Sequence, residues 1–96
     1  MAVAVEMSFR GATMEQYDQI LHKMGLTPKG GTPPGALFHW VAEGDGGMRV
    51  VDVWESQEQF DQFAQEKIGP YSAEVGITEQ PEMRVYEIHN YLGRNF

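Results

Sequence analysis

His39 and Asp52 are the residues whose types and spacing could do chemistry together. Between them lies Gly44-Asp45-Gly46-Gly47, and Asp-Gly at its centre predicts a two-residue type I′ connection between two alternating strands. With Gly44 facing Gly47, the register pairs Val41 with Val50, His39 with Asp52 and Leu37 with Trp54. A carboxylate opposite an imidazole fixes its tautomer and raises its basicity. Such a pair can move protons or orient a polar ligand. It can equally be a cross-strand hydrogen bond inside a mixed core.

Positioning that pair requires a sheet. Val3, Val5, Met7 and Phe9 alternate with Ala4, Glu6 and Ser8, which predicts a first strand. Thr13 and Gln16 form a capping-box pattern ahead of an apolar stripe at Met14, Tyr17, Ile20, Leu21 and Met24, and Gly25 closes that helix. Thr27 to Gly35 is a Gly/Pro-rich loop leading into the hairpin. Ser56 and Gln59 repeat the capping pattern for a second helix carrying Phe60, Phe63 and Ala64, expected to stop at Gly69-Pro70. Residues 71 to 81 read as irregular or at most a short helical turn, and a loop of that length in a small domain often belongs to a site. A final strand runs from about Met83 to Tyr91.

This order, β-α-β-β-α-β in 96 residues, predicts one α+β domain spanning residues 1–96. Its architecture is ferredoxin-like, a four-stranded antiparallel sheet with two helices on one face. The other sheet face is expected to carry Val3, Val5, Met7, Phe38, Trp40, Val51, Val53, Tyr86 and Ile88, too apolar to leave in water. Burying it against a second copy gives a homodimer. The face with Glu6, Ser8, His39, Asp52, Trp54 and His89 would then lie under Tyr17, Leu21, Phe60 and Phe63 and form a pocket for a small apolar or aromatic molecule.

Composition narrows the partners. Seven Lys+Arg against 14 Asp+Glu give a net charge of −7, which repels nucleic acid and anionic membranes. No cysteine is present, so disulfides and thiolate metal sites are excluded and a reducing cytoplasm suits the chain. The opening Met-Ala-Val-Ala-Val-Glu lacks the basic start of a signal peptide. No apolar run is long enough to cross a membrane. Glu6, His39, Asp52 and His89 are types that suit a divalent metal, but no close-spaced ligand motif joins them. No metal, flavin or heme is expected.

Val51-Asp52-Val53-Trp54-Glu55-Ser56 running into Gln57-Glu58-Gln59-Phe60, preceded by Asp45-Gly46, resembles the antibiotic biosynthesis monooxygenase group of the dimeric α+β barrel superfamily, over nearly the whole chain. That resemblance implies a dimer with its substrate pocket between sheet and helices. It also implies one of several activities: cofactor-independent oxygenation of polyketide aromatics to quinones, heme degradation, polyketide cyclisation or dehydration, or silent ligand binding. In the quinone-forming branch the tryptophan matching Trp54 lines the pocket. Its asparagine four residues earlier is Val50 here, and its tyrosine six residues later is Phe60. The heme-degrading branch needs a helix tryptophan where this chain has Phe63 and a histidine near Ala73, where there is none. The expected catalytic candidates are therefore His39, Asp52 and His89. Trp54, Tyr17, Leu21, Phe60, Phe63, Tyr71 and Glu6 are expected to contact the ligand.

Overall fold

The computed structural model describes residues 1–44 and 46–93. Strands β1 (Val3–Arg10), β2 (Ala36–Gly44), β3 (Gly47–Trp54) and β4 (Glu82–Glu87) form one antiparallel sheet in the order β2-β3-β1-β4. Helix α1 (Met14–Lys23) joins β1 to β2, and a second helical stretch joins β3 to β4. This is the ferredoxin-like α+β arrangement.

Local chemistry sets the element ends. The Thr13 hydroxyl accepts from Gln16 N–H while the Gln16 side chain accepts from Thr13 N–H, a complete capping box. Gly25, at φ 76°, lets the chain leave α1, with Leu26 N–H returning to Leu21 O at 3.1 Å. Ser56 Oγ caps Gln59 N–H at 3.2 Å and opens α2 (Gln57–Phe63). That helix does not end at Gly69-Pro70. A π-helical turn, Ala64–Ile68, leads into α3 (Gly69–Glu74), with Pro70 in the first turn of α3. Proline is tolerated there because the missing N–H has no partner to lose. The expected loop therefore shrinks to the stretch after Glu74, and Tyr71 becomes helical.

The hairpin register places Gly44 opposite Gly47, Val41 opposite Val50 and His39 opposite Asp52. Gly46 has φ 78°, as a primed turn requires, while Asp45 lies outside the described residues. At the far end the expectation fails. A bulge sets Ala36 opposite Trp54 and Phe38 opposite Val53, so Leu37 is the extra residue. Alanine facing tryptophan leaves open space where leucine would have filled it.

The face assignment of β1 needs a larger correction. Val3 faces Trp54, Val5 faces Asp52 and Met7 faces Val50, so these apolar residues share the face of His39 and lie under the helices. They are the core, with Val5 fully buried and Trp54 and Phe60 each 1% exposed. Glu6, Ser8 and Arg84 stand on the opposite face with Arg49 and Glu82. Alternation separates the two sets correctly but does not say which set meets the helices. The apolar set gains more from burial, about 25 cal/mol per Å² of apolar surface. The open face is consequently mixed, combining exposed Phe38, Trp40 and Tyr86 and half-buried Val51 and Val53 with these charged residues.

Candidate active site

Between sheet and helices lies a cavity of about 210 Å³. Its floor is β1, β2 and β3, through Met7, Phe9, His39, Met48, Val50, Asp52 and Trp54. Its roof is α1, through Tyr17, Ile20, Leu21 and Met24, with Phe63, Ile68 and Ser72 closing one side. The loop from Leu26 to Pro33 closes another. Gln16 Nε2–H donates to Val75 O at 3.0 Å and ties α1 to the end of α3, which steadies the roof.

Four side chains form one hydrogen-bonded chain across this space. Asp52, only 5% exposed, receives both of its contacts from ring N–H groups. His39 Nδ1 lies 2.5 Å from Oδ1, and Trp54 Nε1–H donates to Oδ2 at 3.1 Å. A carboxylate only accepts, so a proton sits on His39 Nδ1, and when the ring holds that proton alone Nε2 is a lone pair. Tyr17 Oη lies 2.6 Å from that Nε2 and donates to it, with the two rings 8° from parallel. Phe60 meets Trp54 edge-on at 6.0 Å and Phe63 packs against it at 5.1 Å, so the indole cannot swing away from Asp52.

The electrostatics fit a neutral tyrosine. Burial pushes the Tyr17 hydroxyl above its ordinary value, and the negative charges of Asp52 and Asp18 add to the effect. Tyr17 is therefore a hydroxyl and not a tyrosinate at physiological pH. Asp52 orients the ring through its Nδ1. The side chain of His39 is 31% exposed, so a ligand can approach it.

Of the residues expected at the site, Tyr17, Leu21, His39, Asp52, Trp54 and Phe63 line the cavity together. Phe60 stands behind Trp54 as a buried support and does not line it. Glu6 is on the other face of the sheet, because β1 turns its apolar side to the helices. His89 lies past the end of β4, exposed and away from the cavity. Tyr71 lies beside Lys67, whose Nζ is 5.8 Å from the ring centroid, and does not line the cavity either. With Glu6 and His89 removed, the four-residue metal set falls apart. Among the described residues no group of three or more His, Asp or Glu could hold a metal ion. Sequence reasoning missed the lining residues of the Leu26–Pro33 loop. Their signal was the Gly/Pro-rich stretch itself, a long loop next to the hairpin that carries His39.

No family model matches the sequence, and no curated protein sequence does. Among solved structures, the chain is similar to SnoaB, a cofactor-independent oxygenase from Streptomyces nogalater crystallised as an asparagine-to-alanine variant. The TM-score is 0.58 at 14% identity, over 97% of this chain and 96% of that one. The two chains share the ferredoxin-like α+β fold. Coverage of both chains from end to end makes the likeness one of whole domains, and identity this low makes it one of fold alone. Among the described residues no helix is long and apolar enough to cross a membrane.

Proposed function

We propose that this chain is a cofactor-independent oxygenase acting on an aromatic, polyketide-like phenol or enol bound between sheet and helices. The observation that carries the reading is the chain Tyr17–His39–Asp52–Trp54 bordering an apolar cavity. His39 Nε2 is the base, reached through or beside the Tyr17 hydroxyl. Asp52 orients the imidazole, and Phe63, packed on the buried Trp54, gives the cavity an aromatic side for a flat ring. An electron-rich aromatic anion formed there is itself the reductant for dioxygen. Converting a ring methylene to a carbonyl supplies four electrons, which reduce one O2 to the new carbonyl oxygen and one water. No external reductant is needed, and the oxygenase activity of the structurally similar SnoaB supports this choice of reaction.

The same reading includes a homodimer. Phe38, Trp40 and Tyr86, each more than a third exposed on one sheet face, would be covered by the same face of a second copy. The absence of cysteine suits a cytoplasmic setting.

An oxygen electrode tests the reaction with a hydroxyanthrone, whose acidic methylene yields a stabilised anion. Wild type in chelator-treated buffer should consume one O2 per quinone formed, and His39→Ala should slow turnover by roughly 10²- to 10⁴-fold. Uptake no faster than in buffer alone would refute the oxygenase assignment.

A further inference from the structure

The loop over the cavity contains a strained residue. Thr27, Pro28, Lys29 and Gly30 form a tight turn closed by Gly30 N–H to Thr27 O at 2.9 Å. Pro28 presets the second position of this turn, and the third position needs a left-handed backbone, which glycine or asparagine ordinarily supplies. Lys29 occupies it at φ 61°, the one non-glycine residue with positive φ among the described residues. Position 30 has room only for glycine. A Cβ there would lie 2.3 Å from Thr27 Oγ1 and 2.9 Å from the Thr27 carbonyl oxygen. A lysine held where a glycine would relax is an outlier that points to a role for its side chain.

Lys29, exposed on the loop, is one of the residues bordering the cavity. The turn contributes Thr27, Lys29 and Gly30 to the lining. The other ionisable groups there, Tyr17, His39 and Asp52, are bonded to one another. Lys29 pairs with no carboxylate among the described residues, in a chain with 14 acidic residues. At a net charge of −7 the protein as a whole repels anions, so an anionic ligand needs a local cation to enter.

We infer that Lys29 is an anion subsite at the mouth of the cavity, and that the ligand is an aromatic carboxylic acid. Its ring system lies between sheet and helices and its carboxylate meets Lys29 Nζ. This polarity orients the molecule. The charged end is held at the loop, so the uncharged ring end is delivered toward Trp54 and the Tyr17–His39 pair. The inference rests on the reading of the cavity as an aromatic-ligand pocket, but not on His39 acting as a base.

Two neutral-ring probes that differ only in charge test it, 1-naphthaleneacetate and 1-naphthaleneacetamide, titrated calorimetrically against the full chain. Wild type should bind the acid about fivefold more tightly than the amide, the scale of an exposed ion pair. That preference should shrink as salt is raised. Lys29→Met should bind both probes equally, and Lys29→Arg should restore the preference. Lys29→Gly should also lose the preference while melting at a higher temperature, since glycine relaxes the turn; this variant separates the subsite from any effect on folding. Equal affinities in wild type, or a preference that survives Lys29→Met, would overturn the inference. If neither probe binds, the aromatic pocket itself is refuted and the subsite with it. If the acid preference tracks Lys29 while a hydroxyanthrone is not oxidised, the subsite stands and the oxygenase reading falls.

Discussion

Replacing Asp52 by asparagine should reverse the His39 tautomer while leaving the fold in place. In wild type the carboxylate accepts from both His39 Nδ1–H and Trp54 Nε1–H. An asparagine has one accepting oxygen and one donating nitrogen. Trp54 is 1% exposed and its N–H has no access to water, so the amide oxygen must serve the indole. Leaving that donor unpaired would cost about 1–3 kcal/mol. The amide nitrogen then faces His39 Nδ1 and donates to it, which moves the imidazole proton to Nε2. Both contacts survive, so stability should change by no more than about 1 kcal/mol. Nε2, however, now donates to Tyr17 Oη and can no longer take a proton. Loss of the correct tautomer in a Ser-His-Asp triad costs on the order of 10⁴ in rate, and a comparable loss is expected here. Asp52→Ala provides the contrast, because it strands both ring N–H groups. Each kcal/mol lost lowers the melting temperature of a domain of this size by about 4–8 °C. Long-range 15N spectra of the imidazole reveal which nitrogen bears hydrogen. The reasoning is refuted if wild type and Asp52→Asn, both folded, show the same tautomer.

Two further outcomes follow from the structure. Because the Tyr17 hydroxyl titrates above its ordinary value when folded, its contribution to stability is complete below about pH 10, the ordinary tyrosine value, and is lost as pH rises through the folded value. Tyr17→Phe should therefore be less stable than wild type at pH 7, for want of the bond to His39, and the gap should narrow in denaturant titrations at high pH. A gap that stays constant would contradict the burial of this hydroxyl. Light scattering should give about twice 10.8 kDa for wild type, and Val53→Asp should shift it toward the monomer by placing a charge within the proposed interface. A monodisperse wild-type monomer would remove the dimer from the account.

Much of the fold was legible because local signals agreed with one another. The capping residues Thr13 and Ser56, the glycines around Asp45 and the alternation in β2 and β3 each act over a few residues, and together they bring His39 to Asp52. The errors fall where the deciding force is tertiary. Which side of β1 faces the helices depends on pairing with β3, so alternation alone puts Glu6 in the pocket although it stands on the opposite face. The bulge at Leu37 adds one residue to β2 between Ala36 and Phe38, which alternation alone does not announce. Gly69-Pro70 is a stop signal in isolation, yet the π-helical turn before it lets the chain resume as α3, which carries Tyr71 away from the cavity. His89 reaches the pocket face only if the β4 alternation continues, and β4 ends at Glu87. Tyr17 was legible only as part of an apolar stripe. Its bond to His39 joins α1 to β2, residues too distant in sequence for any spacing rule to connect.

The central claim is that His39 takes a proton from an aromatic ligand bound beneath the helices, and isotope exchange tests it without involving oxygen. A hydroxyanthrone incubated anaerobically in D2O exchanges its acidic methylene hydrogens each time the anion forms. Wild type should accelerate that exchange at the methylene carbon well above the rate in buffer. The acceleration should vanish in His39→Ala and fall sharply in Asp52→Asn, with both variants folded. Exchange at the buffer rate in wild type, or equal acceleration by His39→Ala, would contradict the account.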